Sequence, residues 1–470
     1  MPLILPGNVA SATASTGYTV DNSCRFNNSE YMTRTFGSAG NQKTWTFSTW
    51  CKKLKTGGQQ TFFGTSVDGS TFDLFSWGSD ETLGKNFNGA NTAANGFFRD
   101  PSAWYHLVCG LDTTQGTDTN RVKIWVNGVR ITSFAGTGYP TQDADLTLNS
   151  AVRHDVGNGG AHWTSFLVGG YLAETVFIDG QQLDADSFGE FDSDSPTIWK
   201  PIDVSGLTPG TNGFYFDYKD SSNLGNDAFG GTDWTATNFA ATDQSTDTPT
   251  NNFATANPLQ AHADTTFQEG NTWTRQLSSA TAKMYAVSTI GMSAGKWYME
   301  FKNVTNDNDS LYGITTNPNS DHVNNYYPGE QAHSFGFYGS DGNKYTGGSG
   351  SSYGSAASSN DIIGVALDIT NENLYFSING TWQDSGDPTS GATGTGAIDI
   401  SGIGAGDGFY YFSAGSIDTS NYDNPYYNFG NPAFTISSGN ADGNGYGNFE
   451  YAVPSGYYAL CTKNLAEFGG

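Results

Sequence analysis

Apolar and polar side chains alternate in short runs along this chain, and the segments 121–130 and 372–382 show the same design. In each segment the apolar residues occupy alternate positions, so they share one face of a β-strand. Each segment contains an Asn-Gly pair, which accepts positive φ at both central turn positions and closes a tight hairpin. The pattern therefore predicts two all-β domains in tandem, each with a hairpin at a matching place. The apolar positions are Val122, Ile124 and Val126 in the first segment and Leu374, Phe376 and Ile378 in the second.

Other short runs of aromatic and β-branched residues, separated by turn residues, predict the remaining strands. No sustained apolar stripe of helical period occurs in the sequence, and we expect one short helix, within 181–192. The clearest further strands are predicted at 44–50, 104–109, 171–180 and 213–217 and, in the second half, at 295–301, 311–314 and 361–368.

These patterns divide the chain into four predicted parts. Residues 1–20 are apolar and then rich in Ala, Ser and Thr, without a strand pattern, so we interpret them as an anchor peptide that docks elsewhere. The first β domain is predicted at 21–195 and the second at 263–470. Between them, 196–262 is predicted to be a turn-rich connector.

Composition and charge exclude several function classes. Charged residues make up only 14% of the chain, against about 25% in an average protein. The formal net charge is −26, which repels phosphate backbones and anionic membrane surfaces. No apolar run approaches the ~20 residues of a membrane-spanning helix, and the first residues lack a secretory signal. We therefore expect no nucleic-acid partner, no membrane insertion, and synthesis in a cytoplasm without an export signal.

The four cysteines, Cys24, Cys51, Cys109 and Cys461, show no C-x-x-C spacing, which argues against a zinc site. Cys51 and Cys109 both lie in predicted core strands. Buried free thiols are the main interpretation, and a disulfide between these two is the alternative.

Four motifs in the first half follow one another in a specific order: Trp-Thr-Phe-Ser-Thr-Trp at 45–50, Ala-Trp-Tyr-His-Leu-Val at 103–108, Val-Lys-Ile-Trp-Val-Asn-Gly at 122–128 and Leu-Ala-Glu-Thr-Val-Phe-Ile-Asp-Gly-Gln-Gln-Leu at 172–183. In this order they resemble the LamG branch of the concanavalin A-like lectin/glucanase fold. The resemblance covers most of 21–190 and implies a jelly-roll sandwich of two antiparallel sheets.

The second half resembles the SPRY domain, another concanavalin A-like sandwich that is used for binding. The resemblance rests on the strands at 295–301, 311–314 and 361–368, the second hairpin, and Tyr-Asn-Phe-Gly-Asn-Pro at 427–432. The Gly-rich insert 347–359 and the long loop 384–408 depart from a compact SPRY core. Together the two resemblances imply an all-β fold: two tandem concanavalin A-like antiparallel β-sandwiches, or jelly rolls, behind a short N-terminal anchoring segment.

The opening Pro-Leu-Ile-Leu-Pro and the stretch 196–262 resemble LamG-containing virion proteins of tailed bacteriophages. This resemblance implies a virion surface protein of a tail fibre, spike or head fibre, made in the host cytoplasm and held by its N-terminal segment to other virion proteins. It implies host adhesion, through a host-surface glycan or protein, and a homotrimer in which exposed aromatics such as Trp77 and Trp199 are covered between subunits. A purely structural decoration protein and a polysaccharide-degrading enzyme are the alternatives.

Reactive constellations are scarce in the sequence, so we expect no enzyme. Laminarinase-type glucanases on this fold carry two catalytic carboxylates in a Glu-x-Asp-x-x-Glu strand motif. Here Glu190-Phe191-Asp192 approaches that motif, but the final Glu is missing and the segment is turn-like. His106 is predicted to be a satisfied sheet residue, whereas His154 and His162 flank a Gly-rich loop and are candidates for ligand contact.

No cofactor is required by any motif, and Ca²⁺ is the one candidate. Calcium prefers several oxygen ligands from carboxylates, Asn side chains and backbone carbonyls. Asp217, Asp220, Asn223 and Asp227 cluster in one turn-rich stretch and form the candidate site. Because Asp and Asn also simply form turns, a structural role for these residues is the alternative.

Sugar binding needs an aromatic face for the apolar side of a pyranose, with polar groups beside it for the hydroxyls. Aromatic residues next to Asn, His or Lys in predicted loops meet this requirement, although packing is the alternative for each. These candidates are His162, Trp163, Tyr326, Tyr327, Tyr345 and Tyr426.

Overall fold

The computed structural model describes residues 17–54, 57–135, 138–277, 283–304, 309–404, 406–417 and 424–469. The chain divides into an N-terminal unit, Ala14–Thr250, and a C-terminal unit, Asn251–Gly470. Each unit is built mainly from antiparallel strands. The predicted all-β fold of tandem sandwiches is therefore confirmed.

The strands of the N-terminal unit are short and follow the predicted runs. Their bounds are β1 Ser23–Asn27, β2 Tyr31–Thr35, β3 Thr44–Lys53, β4 Gln60–Ser66, β5 Phe72–Trp77, β6 Leu83–Phe87, β7 Ala90–Ala94, β8 Trp104–Asp112, β9 Val122–Val126, β10 Val129–Arg130, β11 Phe134–Ala135, β12 Arg153–Val156, β13 Gly169–Asp179, β14 Gly189–Phe191, β15 Trp199–Pro201, β16 Phe214–Phe216, β17 Thr235–Thr237 and β18 Gln244–Ser245. A short helix, α1, spans Asp118–Arg121, and a 3₁₀ turn at Ala185–Ser187 lies where one short helix was expected.

The C-terminal unit repeats this pattern. Its strands are β19 Thr265–Gln268, β20 Trp273–Gln276, β21 Tyr285–Val287, β22 Lys296–Lys302, β23 Ser310–Thr315, β24 Ser334–Tyr338, β25 Asn343–Thr346, β26 Ser349–Ser352, β27 Ile362–Asp368, β28 Asn373–Ile378, β29 Thr381–Trp382, β30 Ile398–Asp399, β31 Tyr411–Ser416, β32 Tyr426–Asn428 and β33 Tyr458–Ala459. Two helices, α2 Pro318–Asn324 and α3 Thr462–Phe468, complete it.

The two units have the same strand connectivity. One sheet of the N-terminal unit runs β10-β9-β8-β3-β13-β1, and its counterpart runs β29-β28-β27-β22-β32-β20. The opposing sheets run β7-β6-β5-β4-β12-β2 and β26-β25-β24-β23-β31-β21. Strands β1 to β10, β12 and β13 therefore correspond in chain order and in pairing to β20 to β29, β31 and β32. We call the sheet that contains the Asn-Gly hairpin the hairpin sheet of each unit.

The Asn-Gly hairpins match down to single hydrogen bonds. Asn127 and Asn379 adopt left-handed φ values of 48° and 47°. The Oδ1 of Asn127 accepts the backbone N–H of His106 at 2.7 Å, and the Oδ1 of Asn379 accepts that of Ile362 at 3.0 Å. Each Asn also donates its own N–H back to the carbonyl of the same residue. The turn therefore fixes the hairpin's register against the neighbouring strand in both units.

Between its sheets each unit buries an aromatic core. In the N-terminal unit, Phe63 of β4 stacks on Phe47 of β3 at 5.1 Å and contacts Phe177 of β13 at 5.0 Å. In the C-terminal unit, Phe337 of β24 stacks on Phe376 of β28 at 5.3 Å. Rings from opposite sheets meet in both cases, which is how the alternating apolar faces are removed from water.

The outer face of each hairpin sheet is also buried. In the N-terminal unit a second apolar cluster on this face includes Trp50, Val108 and Trp199. In the C-terminal unit the corresponding cluster includes Tyr298, Tyr375 and Phe449. Trp77 and Trp199 are only 1% and 8% exposed, so the expectation that they are exposed aromatics was wrong. Both are core residues.

The stretch predicted as a connector, 196–262, is largely part of the N-terminal sandwich. Strand β16 pairs with β13, β17 with β2, and β18 with β1. Residues up to Thr250 belong to the N-terminal unit, and the C-terminal unit begins at Asn251. The predicted boundaries at 195 and 262 therefore differ from the structure, because these short strands complete the edges and centre of sheets formed by distant residues.

Most of the predicted anchor, 1–16, lies outside the described residues. Its last residues lie on the N-terminal unit, where Val20 is buried and exchanges hydrogen bonds with Thr250. All four cysteines are buried free thiols, and Cys51 and Cys109 form no disulfide. Cys51 pairs with Tyr105 and Cys109 with Phe47, so the two thiols lie four residues apart along adjacent strands.

Replacement of a central core ring should cost far more stability than replacement of an exposed apolar side chain. We expect Phe63→Ala to lower the free energy of unfolding by about 3–5 kcal/mol, because the lost contacts leave a cavity. Val129→Ala, at a side chain that is 61% exposed, should change it by less than about 0.5 kcal/mol. Urea unfolding followed by tryptophan fluorescence measures both, and equal effects would contradict the proposed core.

Candidate functional site

The predicted site at His162 and Trp163 lies in the loop between β12 and β13 of the N-terminal unit. Both backbone N–H groups bind the Oγ of Ser66, which holds the loop against the β4–β5 turn. The Trp163 ring stacks on Phe166 at 5.3 Å with an interplanar angle of 11°, and His162 packs edge-on against it. His162 is exposed and Trp163 is half-buried, so this pair forms a rigid aromatic surface at the rim of the sandwich.

Two of the tyrosines predicted in the second half come together. Tyr327 lies in the loop before β24, and Tyr345 lies on β25. A backbone bond from Gly348 to Gly329 ties this loop to the β25–β26 hairpin. Gly329, two residues after Tyr327, lies against the backbone and the Cβ of Tyr345. Burial, then Glu330 and then Tyr345, raise the pKa of Tyr327.

A cation completes this cluster. Lys283 places its Nζ 4.5 Å from the Tyr327 ring centroid and 2.9 Å from a carboxylate oxygen of Glu330. We call Lys283, Tyr327, Glu330 and Tyr345 the tyrosine cluster. Tyr326 is half-buried next to it.

Tyr426 belongs to a different sheet from the tyrosine cluster. It lies on β32, where its ring is nearly parallel to Trp273, with centroids 4.8 Å apart. Phe434 packs edge-on at 5.7 Å. Tyr426 is therefore packed on one ring face by Trp273 and at its edge by Phe434, as Trp163 is packed by Phe166 and His162.

The structure does not bring the candidate calcium ligands together. Within the described residues, no group of three or more His, Cys, Asp or Glu side chains is placed to hold a metal ion. Each candidate is instead engaged in local hydrogen bonds: Asp217 with Lys219, Asp220 with Ser222, Asn223 with Asp233, and Asp227 with the backbone of Tyr215 and Phe229. The predicted site was wrong because these side chains shape turns, which was the structural alternative.

A buried serine–histidine pair on the hairpin sheet of the N-terminal unit is held in a tautomer unsuited to catalysis. Trp199 donates its indole N–H to the Nδ1 of His106 at 2.9 Å. The neutral ring must then carry its proton on Nε2, which lies 2.9 Å from the Oγ of Ser48. A protonated Nε2 donates to the serine and cannot accept its proton. Burial lowers the pKa of His106 to about 3, so the neutral form persists.

His154, predicted as a candidate for ligand contact, and the partial glucanase motif also have structural roles. His154 is fully buried, and its two ring nitrogens are bonded to the backbone of Asn149 and Val152. Burial lowers its pKa to about 3, and it cannot contact a ligand. Glu190 lies on β14 and Asp192 follows that strand, and both form ion pairs with Lys200.

Glu174 is a buried carboxyl that the sequence analysis did not single out. It lies at a bulge of β13 with a positive φ of 48° and is 4% exposed. Tyr215 donates to its Oε2 at 2.7 Å and Tyr18 at 3.2 Å. Both tyrosines are distant in the sequence, so only the unusual Glu in an otherwise apolar strand could have indicated a special position.

Comparisons with known proteins identify part of the C-terminal unit. Residues 296–397 match the family model of the SPRY domain. The match covers β22 to β29, so this part of the unit is similar to the SPRY domain. Ran-binding protein 9 of Danio rerio is 29% identical over 100 residues, which are 21% of this chain and 17% of that protein. Dual specificity protein kinase splA of Dictyostelium discoideum is 35% identical over 109 residues, which are 23% of this chain and 4% of that protein. The chain thus spans less than a fifth of either relative.

Solved structures give remote similarities. The SPRY domain of human HERC1 matches with a TM-score of 0.29 and 16% identity, over 37% of this chain and 96% of that chain. A Bacteroides ovatus protein described as a candidate carbohydrate binding protein matches with a TM-score of 0.35 and 16% identity, over 47% of this chain and 59% of that chain. None of the described helices is long and apolar enough to cross a membrane.

Glu174 should make the stability of the protein depend on pH. Burial, and then Asp217, raise its pKa to about 7, while the two tyrosines lower it. Between about pH 4.5 and 7, Glu174 is therefore protonated in the folded protein but ionised in the unfolded chain. The contribution of Glu174 to the free energy of unfolding falls as the pH rises through this range. Glu174→Gln removes the charge. We expect its free energy of unfolding, relative to wild type, to rise by about 2–3 kcal/mol between pH 5 and pH 8.

Urea unfolding at pH 5, 6, 7 and 8 measures this difference. Burial lowers the pKa of His106 and His154, so the protein loses stability as the pH falls below about 6.5. This loss is the same in wild type and variant and cancels in the difference between them. Glu190→Gln, at a side chain that is 57% exposed, is the matched control and should differ little from wild type. A Glu174→Gln difference that stays constant with pH would contradict the assignment.

Proposed function

We propose that the chain is a non-enzymatic binding protein of a virion surface, in which rigid β-sandwiches hold binding loops. The observation that carries the binding role is the SPRY match over 296–397, because SPRY domains mediate protein binding. Strand-for-strand repetition of the same connectivity in the N-terminal unit supports a second scaffold of the same kind. Rigid scaffolds with exposed loops favour recognition.

The rim at His162 and Trp163 is the proposed glycan-binding surface of the N-terminal unit. An indole fixed by Phe166 loses little freedom when a sugar stacks on it, and His162 is exposed beside it for hydroxyl contacts. In the C-terminal unit we assign the protein partner to the tyrosine cluster, where aromatic, cationic and anionic groups meet. This mixture suits a polar protein surface.

The location on a tailed-phage virion, in a tail or head fibre, rests on the resemblance of the opening residues and of 196–262 to LamG-containing virion proteins. In this proposal residues 1–20 anchor the chain to other virion proteins, and a homotrimer multiplies weak sites by avidity. The host-surface ligand is then a polysaccharide or a protein. A decoration protein without a host ligand is the alternative.

Binding to host-surface polysaccharide tests the proposal. We expect the full chain to bind a subset of glycans on an array, and Trp163→Ala to weaken that binding about tenfold, or ~1.4 kcal/mol. Tyr345→Ala should leave glycan binding unchanged, because it lies in the other unit. Absence of glycan binding by wild type, together with failure to inhibit phage adsorption, would favour the decoration protein.

A hydrolase would release reducing ends from the same polysaccharides. We expect no increase in reducing ends when the protein is incubated with host capsule or laminarin, because the sequence lacks the complete glucanase motif and the His106–Ser48 pair has the wrong tautomer. A laminarinase in the same assay is the positive control. Any release that depends on Glu190 would overturn the non-enzymatic assignment.

A further inference from the structure

Two buried side chains of opposite charge meet on the outer face of the hairpin sheet of the N-terminal unit. Lys52 lies on β3 and is paired with Trp104 of β8 and Tyr171 of β13, so these three side chains share one face. Asp247 follows β18, the last strand of this sheet. The Nζ of Lys52 lies 2.7 Å from the Oδ2 of Asp247, although the residues are 195 positions apart.

The pair is shielded from water. The side chains of Lys52 and Asp247 are 1% and 0% exposed. The indole N–H of Trp104 donates to the other carboxylate oxygen, Oδ1, at 3.1 Å, and the Tyr171 ring centroid lies 5.7 Å from the amine. Amine, carboxyl and a hydrogen-bond donor to the carboxyl are thus assembled in one dry site.

The carboxyl group is held by its backbone as well. The backbone N–H of Asp247 donates to the Oγ of Ser245 at 3.1 Å, and Ser23 donates its hydroxyl to the Asp247 carbonyl at 2.6 Å. Lys52 is fixed by its place in a central strand. Groups held at this distance react with effective concentrations far above those of free reactants.

Burial also makes the charged form of the pair costly. Two formal charges removed from water lose hydration energy that their attraction repays only in part. Desolvation lowers the pKa of the Lys52 ammonium, while Asp247 and, less strongly, Asp100 oppose that shift and Arg25 adds to it. A neutral product at this position would remove both charges from the interior.

We propose that Lys52 and Asp247 condense in the folded protein to form an intramolecular amide bond. A proton first passes from Nζ to Oδ2, which leaves a neutral amine and a carboxylic acid. The amine attacks Cγ, and negative charge on Oδ1 is stabilised by the Trp104 N–H. A second amine proton passes to Oδ2, the Cγ–Oδ2 bond breaks, and water leaves. The third proton remains on the amide nitrogen, so atoms and electrons balance without any other reactant.

A neighbouring ion pair provides an internal comparison. Lys53, on the opposite face of β3, forms a buried ion pair with Glu81. Lys53 also donates to the carbonyl of Phe98, and its Nζ lies 4.8 Å from the Trp77 ring centroid. A ring lies beside each of the two amines. The carboxylates differ, because the second oxygen of Glu81 accepts the backbone N–H of Gly57, whereas that of Asp247 accepts the indole N–H of Trp104. We expect no amide bond at this pair.

Mass spectrometry of the denatured full chain tests the proposal. We expect the purified wild-type protein to be lighter than its sequence mass by one water molecule. Tryptic digestion should yield one branched peptide that joins 44–53 to 220–275, because an acylated Lys52 is not cleaved. A wild-type mass that stays at the sequence value after prolonged incubation of the folded protein would overturn the proposal and leave the contact as an ion pair.

Variants distinguish the amide from other losses of water. Lys52→Arg preserves the positive charge but removes the primary amine. This variant should therefore have its full sequence mass and yield only linear peptides. Asp247→Asn should give the same branched product as wild type with loss of ammonia in place of water. Loss of water in Lys52→Arg, or a branched peptide that contains Lys53 and Glu81 as the linked residues, would contradict the assignment. Because the wild-type mass is itself decisive, the test does not depend on the folding of any variant.

Discussion

Register in the hairpin sheets is the constraint on which both sandwiches depend. A slip of one residue would turn every apolar side chain of a strand from the core to the opposite face. The left-handed Asn of each Asn-Gly turn prevents this slip, because its side chain and its backbone both bind one residue of the adjacent strand, His106 or Ile362. In this register Trp45 and Trp297 lie in equivalent cross-strand rows, opposite Leu111 and Leu367, and are fully buried.

Those features that depend on local pattern could be predicted from the sequence. An alternating apolar pattern and the turn residues that end it are close together in the chain. The strands at 121–130 and 372–382, and with them the fold class, could therefore be predicted. The edges of the first sandwich were not, because β17 and β18 are three and two residues long and pair with strands some 200 residues away. Such short strands carry no periodicity that could separate them from a turn-rich connector.

The candidate site shows the same limit in another form. Aromatic residues beside polar ones could be found by adjacency, and this led to Trp163 and to the pair of Tyr327 and Tyr345. Adjacency does not reveal which ring faces are covered: one face of Tyr426 lies on Trp273 and one face of Trp163 lies on Phe166. Acidic residues in a turn-rich stretch likewise predict a calcium site or turns equally well. Which of the two occurs depends on the hydrogen-bond donors that each carboxylate contacts in the folded protein.

Buried polar residues of the hairpin sheets have structural roles in this architecture, whereas the proposed binding residues lie outside these sheets. Apolar clusters cover both faces of each hairpin sheet in the part of the chain that the structure describes. Polar residues caught on those faces, such as Glu174, His106 and Asp247, must therefore find partners inside the protein, and they do so with residues far away in the chain. These contacts stiffen the covered faces. The surfaces proposed for recognition lie elsewhere, in the β12–β13 loop that carries Trp163 and in the tyrosine cluster, which is formed by the loop before β24 and by strand β25.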